Sequence, residues 1–179
     1  MRKPLPGDTP VEERIARTIR VDQAGEYGAK RIYDGQLAVL GRSRSAPVIR
    51  KMADQELHHM ETFDRIMNER HVRPTLLSPF WHAAGFALGA GTALLGEKAA
   101  MACTEAVEEV IDQHYAAQAE ELGESEPELK ATIEQFRAEE IEHRDTAREH
   151  AAAEAPGYDF LTAGIRAGSR LAIWLSTRI

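Results

Sequence analysis

Glu56-Leu57-His58-His59 and Glu140-Ile141-Glu142-His143 each place a carboxylate three residues before an imidazole, and each has a further glutamate upstream, Glu26 for the first and Glu108 for the second. Residues i and i+3 share a helix face, so both side chains of an E-x-x-H element can reach one point. Four carboxylates and two imidazoles on four helices are the donors with which a bundle holds two metal ions in its core. Two divalent cations cancel the charge of four ionised glutamates, and neutral imidazoles complete the shell; without metal, such a cluster is expensive to bury. Oxygen-rich donors with one histidine per metal suit iron or manganese. The absence of cysteine ligands argues against structural zinc or an iron–sulfur cluster. A single E-x-x-H would be read as part of a solvated helix face, but two copies with matched partners argue for metal.

The elements that must position these groups are legible from the spacing. Glu56 follows Glu26 by 30 residues and Glu140 follows Glu108 by 32, and each interval is broken near its middle by turn-forming residues, Gly41 to Pro47 and Gly123 to Pro127. A helix that rises to a turn and descends by the same count returns to its starting height, so each glutamate pair ends level on an antiparallel hairpin. Ile49, Met52, Met60, Phe63, Ile66 and Met67 recur at helical spacing, and Glu56 and His59 fall inside that stripe while His58 falls outside. Leu129, Ile133, Phe136 and Ala147 define the stripe holding Glu140 and His143, with Glu139 and Glu142 directed elsewhere. Glu26 aligns with Ile15, Ile19, Asp22, Tyr33, Leu37 and Leu40.

On the third ligand helix Glu105, Glu108 and Glu109 compete. Glu108 shares a stripe with Met101, Ile111 and Tyr115, which assigns it the ligand role with Glu109 in reserve. Tyr115, seven residues after Glu108, either borders the metals, supplies a redox-active phenol or is a packed core tyrosine; spacing does not choose. Asp22 and Asp112, each four residues from a proposed ligand, are candidates to hydrogen-bond the outer nitrogens of the ligand histidines, or else form surface ion pairs.

At 179 residues the chain, 1–179, reads as a single domain with room for four core helices and two accessory ones. A net charge of −7 gives no reason to expect nucleic acid as a partner. Cys103 is alone, which suits a reducing compartment, and Met1 to Val11 has no apolar stretch of signal-peptide length. Two segments depart from the soluble pattern. Between Arg73 and Glu97 lies a stretch without formal charge, but its Pro, Gly and Ala content disfavours a membrane span. It also supplies the long connection that two hairpins need, with small residues permitting close helix packing. The tail from Phe160 to Ile179 has no acidic residue and carries Arg166, Arg170 and Arg178 beside Leu171 and Trp174, as suits a helix lying at an anionic bilayer surface.

The run Arg20-Val21-Asp22-Gln23-Ala24-Gly25-Glu26-Tyr27-Gly28-Ala29, then Asp54-Gln55-Glu56, the glycine-rich Gly85-to-Gly96 stretch, Ala106-Val107-Glu108-Glu109 and Glu140-Ile141-Glu142-His143 resemble the demethoxyubiquinone hydroxylase family of ubiquinone biosynthesis. The resemblance spans the chain from about residue 14 onward. It implies an all-α, ferritin-like bundle with a long apolar crossover and an accessory C-terminal helix. It further implies an O2-dependent di-iron monooxygenase that hydroxylates the demethoxyubiquinone or demethoxyubiquinol ring. Glu26, Glu56, His59, Glu108, Glu140 and His143 match the family's ligand positions, with Glu56 and Glu140 bridging. Further implications are NADH as reductant, with Arg17, Arg170 and Trp174 near the NADH and quinone entrance, and a peripheral position on the cytoplasmic face of a bacterial inner membrane or the matrix face of the mitochondrial one. A lipid-binding partner in a quinone-synthesis complex is also implied. Two rivals come from other classes: a ferritin-like iron-storage or peroxide-detoxifying bundle, which uses the same ligands, and a membrane-associated scaffold without catalysis.

Overall fold

A computed structural model describes residues 9–179; the expectation for Met1 to Val11 falls mostly outside them. Among the described residues six α-helices form: α1 Val11–Leu40, α2 Ala46–Glu69, α3 Ser78–Leu94, α4 Glu97–Leu122, α5 Pro127–Glu149 and α6 Tyr158–Ser176, with one 3-10 turn at Ala152–Glu154. The boundaries follow local chemistry. Pro47, Pro79 and Pro127 sit in the first turns of α2, α3 and α5, where no amide donor is needed. Gly96, at φ +115°, opens α4, and Gly123, at φ +54°, closes it.

α1 pairs with α2 and α4 with α5 as the two expected hairpins, giving the all-α, ferritin-like bundle that the resemblance implies. The crossover α3 lies along α1, and the accessory α6 lies along α4. Apolar packing falls into two clusters. One gathers Ile19, Phe63, Ile111, Tyr115, Ile133 and Phe136, and the other gathers Tyr33, Ile49, Met52, Met101 and Ala147. In chain position Glu26, Glu56, Glu108 and Glu140 lie between them, so the polar centre is closed at both ends by hydrocarbon.

The glycine content of α3 follows from its approach to α1. A Cβ on Gly89 would stand 1.9 Å from the Ile32 carbonyl oxygen, and one on Gly35 would stand 2.2 Å from that of Phe86. Both obstacles are backbone, so no rotamer change relieves them. Gly35→Ala and Gly89→Ala are expected to cost at least 1–3 kcal/mol each, as for overpacked cores. Gly91→Ala, which meets nothing within 4 Å, is expected to be neutral or stabilising by up to about 1 kcal/mol. Urea unfolding of the three variants checks this, and equal midpoints would refute the close seam. Among the described residues no helix is long and apolar enough to cross a membrane.

Candidate metal centre

Glu26, Glu56, His59, Glu108, Glu140 and His143 converge in the middle of the bundle, each at most 1% exposed. They form two overlapping sets, Glu26, Glu56, His59 and Glu140, and Glu56, Glu108, Glu140 and His143; within each set the possible ligand atoms all lie within 4.8 Å of one another. Glu56 and Glu140 belong to both. Glu108 is inside, whereas its competitors are engaged elsewhere: Glu105 takes Arg148 at 2.7 Å and Tyr158 at 2.9 Å, and Glu109 takes Arg166 at 2.8 Å.

Whether this cluster suits metal is tested by its unsatisfied atoms. Glu26 Oε2, both Glu56 oxygens, Glu108 Oε2, Glu140 Oε1 and His59 Nδ1 are buried with no hydrogen-bond partner. His59 Nδ1 does lie 3.0 Å from Glu140 and 3.3 Å from Glu26, but not with hydrogen-bond geometry. So many buried polar atoms converging without partners are costly unless a cation meets them. The donor set fits two divalent ions.

Electrostatics agrees. Burial, reinforced by the neighbouring carboxylates, pushes Glu56 and Glu108 well above the usual carboxylate range. Burial pulls His59 down, but the Glu140 and Glu26 carboxylates outweigh it and raise the imidazole to about 11. Burial likewise opposes the ionisation of Glu140, yet His143 and His59 hold it at about 2.

The surrounding groups were less legible. Tyr115 donates its hydroxyl to Glu26, and Tyr33, which sequence reasoning did not single out, donates to Glu108 at 2.8 Å. The signal was present, because Tyr33 follows Glu26 by the same seven residues that separate Tyr115 from Glu108. Burial and the nearby carboxylates push both phenols well above their usual values, so they act as donors. The expected outer partners of the histidines are corrected. Asp22 accepts from Gln118 at 2.7 Å, and Asp112 pairs with Arg137 and Arg144, so neither reaches a ligand histidine. Instead His59 Nε2 donates to Glu139 at 2.9 Å and His143 Nε2 donates to Gln55 at 3.2 Å. Both Nδ1 atoms face the carboxylates. Glu139, expected to point away, therefore supports the centre from its rim.

On the α1 and α4 side, an apolar cavity of about 330 Å³ opens between α1, α3, α4 and α6. Its wall includes Gly25 and Val107, the immediate neighbours of Glu26 and Glu108, together with Gly28, Gly85, Ile111 and Gly168. Arg17, Arg170 and Trp174 do not line it. Arg17 pairs with Glu13, Arg170 donates to Gln113 at 3.3 Å, and Trp174 lies under Arg178. Each nevertheless stands close in the chain to a wall residue: Arg17 four residues from Val21, Arg170 next to Ser169 and Trp174 next to Ile173.

Residues 13–176 match the family described as "Ubiquinone biosynthesis protein COQ7". The chain belongs to that family. Its COQ7-family relatives include the 3-demethoxyubiquinol 3-hydroxylase of Rhodospirillum rubrum, 58% identical over 176 residues, covering 98% of this chain and 83% of the relative. The bovine mitochondrial protein named NADPH-dependent 3-demethoxyubiquinone 3-hydroxylase is 56% identical over 171 residues, covering 93% of this chain and 79% of its own. Its human counterpart, of the same name, is 54% identical over 169 residues, covering 92% and 78%. Membership in the COQ7 family places the buried Glu/His cluster among named hydroxylases, and favours that reading over iron storage.

Proposed function

We propose that the chain, acting as one domain over residues 1–179, is a 3-demethoxyubiquinol hydroxylase of ubiquinone biosynthesis that uses two iron ions, O2 and a reductant. The observation that carries this reading is the apolar cavity whose wall includes Gly25 and Val107, the chain neighbours of Glu26 and Glu108. An iron-storage bundle has no use for a hydrocarbon-lined chamber beside its ligands, whereas a quinol ring with an apolar tail requires one. A cavity of this size and lining lies within the range of small-molecule sites.

In this reading Glu26 and His59 would hold one metal and Glu108 and His143 the other, with Glu56 and Glu140 available to both. Two ferrous ions, when bound, supply one electron each toward the reduction of O2. One oxygen atom enters a ring C–H bond; the other leaves as water with two electrons and two protons. The chain's own part is positional. Tyr33 and Tyr115 orient the outer glutamates by donating to one oxygen of each, leaving the other free for metal. Phe63, Phe136 and Ile133, in the apolar cluster at one end of the centre, exclude water from that end. The reductant is a reduced nicotinamide nucleotide. The mammalian relatives are named for NADPH, and NADH remains our expectation for this chain, received at a mouth flanked by Arg17, Arg170 and Trp174.

The deciding experiment is mass spectrometry of the quinone after iron-loaded protein is incubated with demethoxyubiquinone, reduced nicotinamide and isotopically labelled O2. One labelled oxygen in the product supports the hydroxylase. Oxygen consumption without labelled product, in protein holding two irons, would transfer the assignment to storage or peroxide detoxification.

A peripheral membrane position, on the cytoplasmic face of a bacterial inner membrane or the matrix face of the mitochondrial one, is supported by the surface beside the cavity. Phe80 and Leu94 on α3 and Phe160, Leu171 and Trp174 on α6 are all more than half exposed, the extreme being Phe160 at 89%. A lipid-binding partner of a quinone-synthesis complex would meet the same surface. Phe160→Glu and Leu94→Glu are each expected to weaken flotation with anionic vesicles about tenfold or more, since a buried large apolar side chain contributes roughly 1.5–3 kcal/mol. Unchanged flotation of both variants would place the membrane contact elsewhere.

A further inference from the structure

The centre is built on an approximate twofold relating α1 and α2 to α4 and α5, and most of its supports obey it. Tyr33 and Tyr115 each donate to the glutamate of the opposite hairpin. Gln36 and Gln118, each ten residues after a ligand glutamate, reach across to the residue four before the opposite one, Thr104 at 3.3 Å and Asp22 at 2.7 Å. The residue immediately before each shared glutamate obeys the twofold in position but not in charge. Gln55 precedes Glu56 and faces His143, while Glu139 precedes Glu140 and faces His59.

That difference bears on the metals. A carboxylate accepting from a ligand imidazole makes the imidazole a stronger donor, whereas an amide fixes the same ring orientation and tautomer without lending charge. The contact lengths run the same way, 2.9 Å to Glu139 and 3.2 Å to Gln55. Gln135 donates to the other Glu139 oxygen at 3.2 Å and keeps the carboxylate aimed at His59. The second departure from the twofold, Asp22 opposite Thr104, also puts the acidic member on the helix of Glu26, one turn away.

We propose that Glu139 is a positioning residue that makes the two metal positions unequal, so that the position of Glu26 and His59 takes a divalent cation first and more tightly than the position of Glu108 and His143. This rests on the metal-centre reading above. The test uses the full chain, stripped with chelator and titrated with Co2+ under calorimetric and visible-absorption readout. Wild type is expected to fill in two resolved steps separated by roughly 10- to 100-fold in affinity, the usual effect of such outer partners. Glu139→Gln is expected to weaken the first step and merge the two. The exchange Gln55→Glu with Glu139→Gln restores two resolved steps with the order of filling reversed, which a defect in folding would not produce. Two equal steps in wild type, or an unchanged separation in Glu139→Gln, would overturn the inequality while leaving a two-metal centre intact. Binding of no metal by wild type would instead remove the centre itself, and the inequality with it.

Discussion

Replacing Glu140 with alanine is expected to empty both metal positions at once and to reduce quinone hydroxylation to background. Glu140 contributes to both ligand sets, its Oε1 near His59 and its Oε2 near His143, so its loss removes a donor from each metal together. Glu56→Ala is expected to do the same. His143→Ala or Glu108→Ala removes a donor from one set only, and these variants are expected to retain about one metal per chain. Glu142→Ala is the matched control two residues away. Its side chain is exposed and pairs with Lys51 at 2.8 Å, so both metals and full turnover are expected. Metal content by mass spectrometry, alongside the labelled-oxygen assay, separates the cases. A Glu140→Ala protein that still held two metals would show that Glu140 is not needed by either.

The second large effect is the dependence of stability on pH once metal is removed. Glu56 and Glu108 have folded pKa values raised above the unfolded ones, so each opposes folding increasingly as pH climbs above the ordinary carboxylate range. His59, raised to about 11, stabilises fully below its ordinary 6.5, and that contribution fades as pH rises toward 11. Glu140, held at about 2, stabilises above its ordinary 4.5, and that contribution fades as pH falls toward 2. The stripped protein is therefore expected to be most stable near the ordinary carboxylate value, at about pH 4.5, and to lose melting temperature steadily from there toward pH 8.5. Metal reverses the trend, because its ligands must be deprotonated and its binding strengthens with pH. At a free metal concentration of about 1,000 times the dissociation constant, each ion adds about 4 kcal/mol. For a chain of this size that amounts to roughly 8–16 °C. The gap between loaded and stripped melting curves should thus widen from pH 5.5 to 8.5. Parallel curves would mean that the cluster is not what holds the ions.

The convergence of the six side chains was readable because a carboxylate and an imidazole at i and i+3 can be placed on a helix face without knowing the neighbours, and because the pattern occurs twice. Glu108 was separated from Glu105 and Glu109 by its apolar stripe, and the structure turns the other two toward Arg148 and Arg166. The outer partners of the histidines were not readable in the same way. Asp22 and Asp112 have suitable spacing along their own helices, but a hydrogen bond between helices depends on their separation and rotation. Gln118 and the Arg137–Arg144 pair capture those carboxylates first. Glu139 lies about 100° around the helix from Glu140, which looks like the outer face until the neighbouring helix is known. The glycines of the crossover were legible as permission for close packing, though not as the particular contacts of Gly35 with Phe86 and Gly89 with Ile32.

Gly25, Gly28, Gly85 and Gly168 leave part of the cavity wall as bare main chain. Side chains can swing aside to admit a wider guest, but main chain in packed helices cannot, so at these glycines the bore is set by the spacing of α1, α3 and α6. Such an aperture gauges cross-section and is indifferent to how far a guest extends beyond it. Among lipids with the same ring, the chain would discriminate by the thickness of the tail near the head and tolerate any number of repeats beyond.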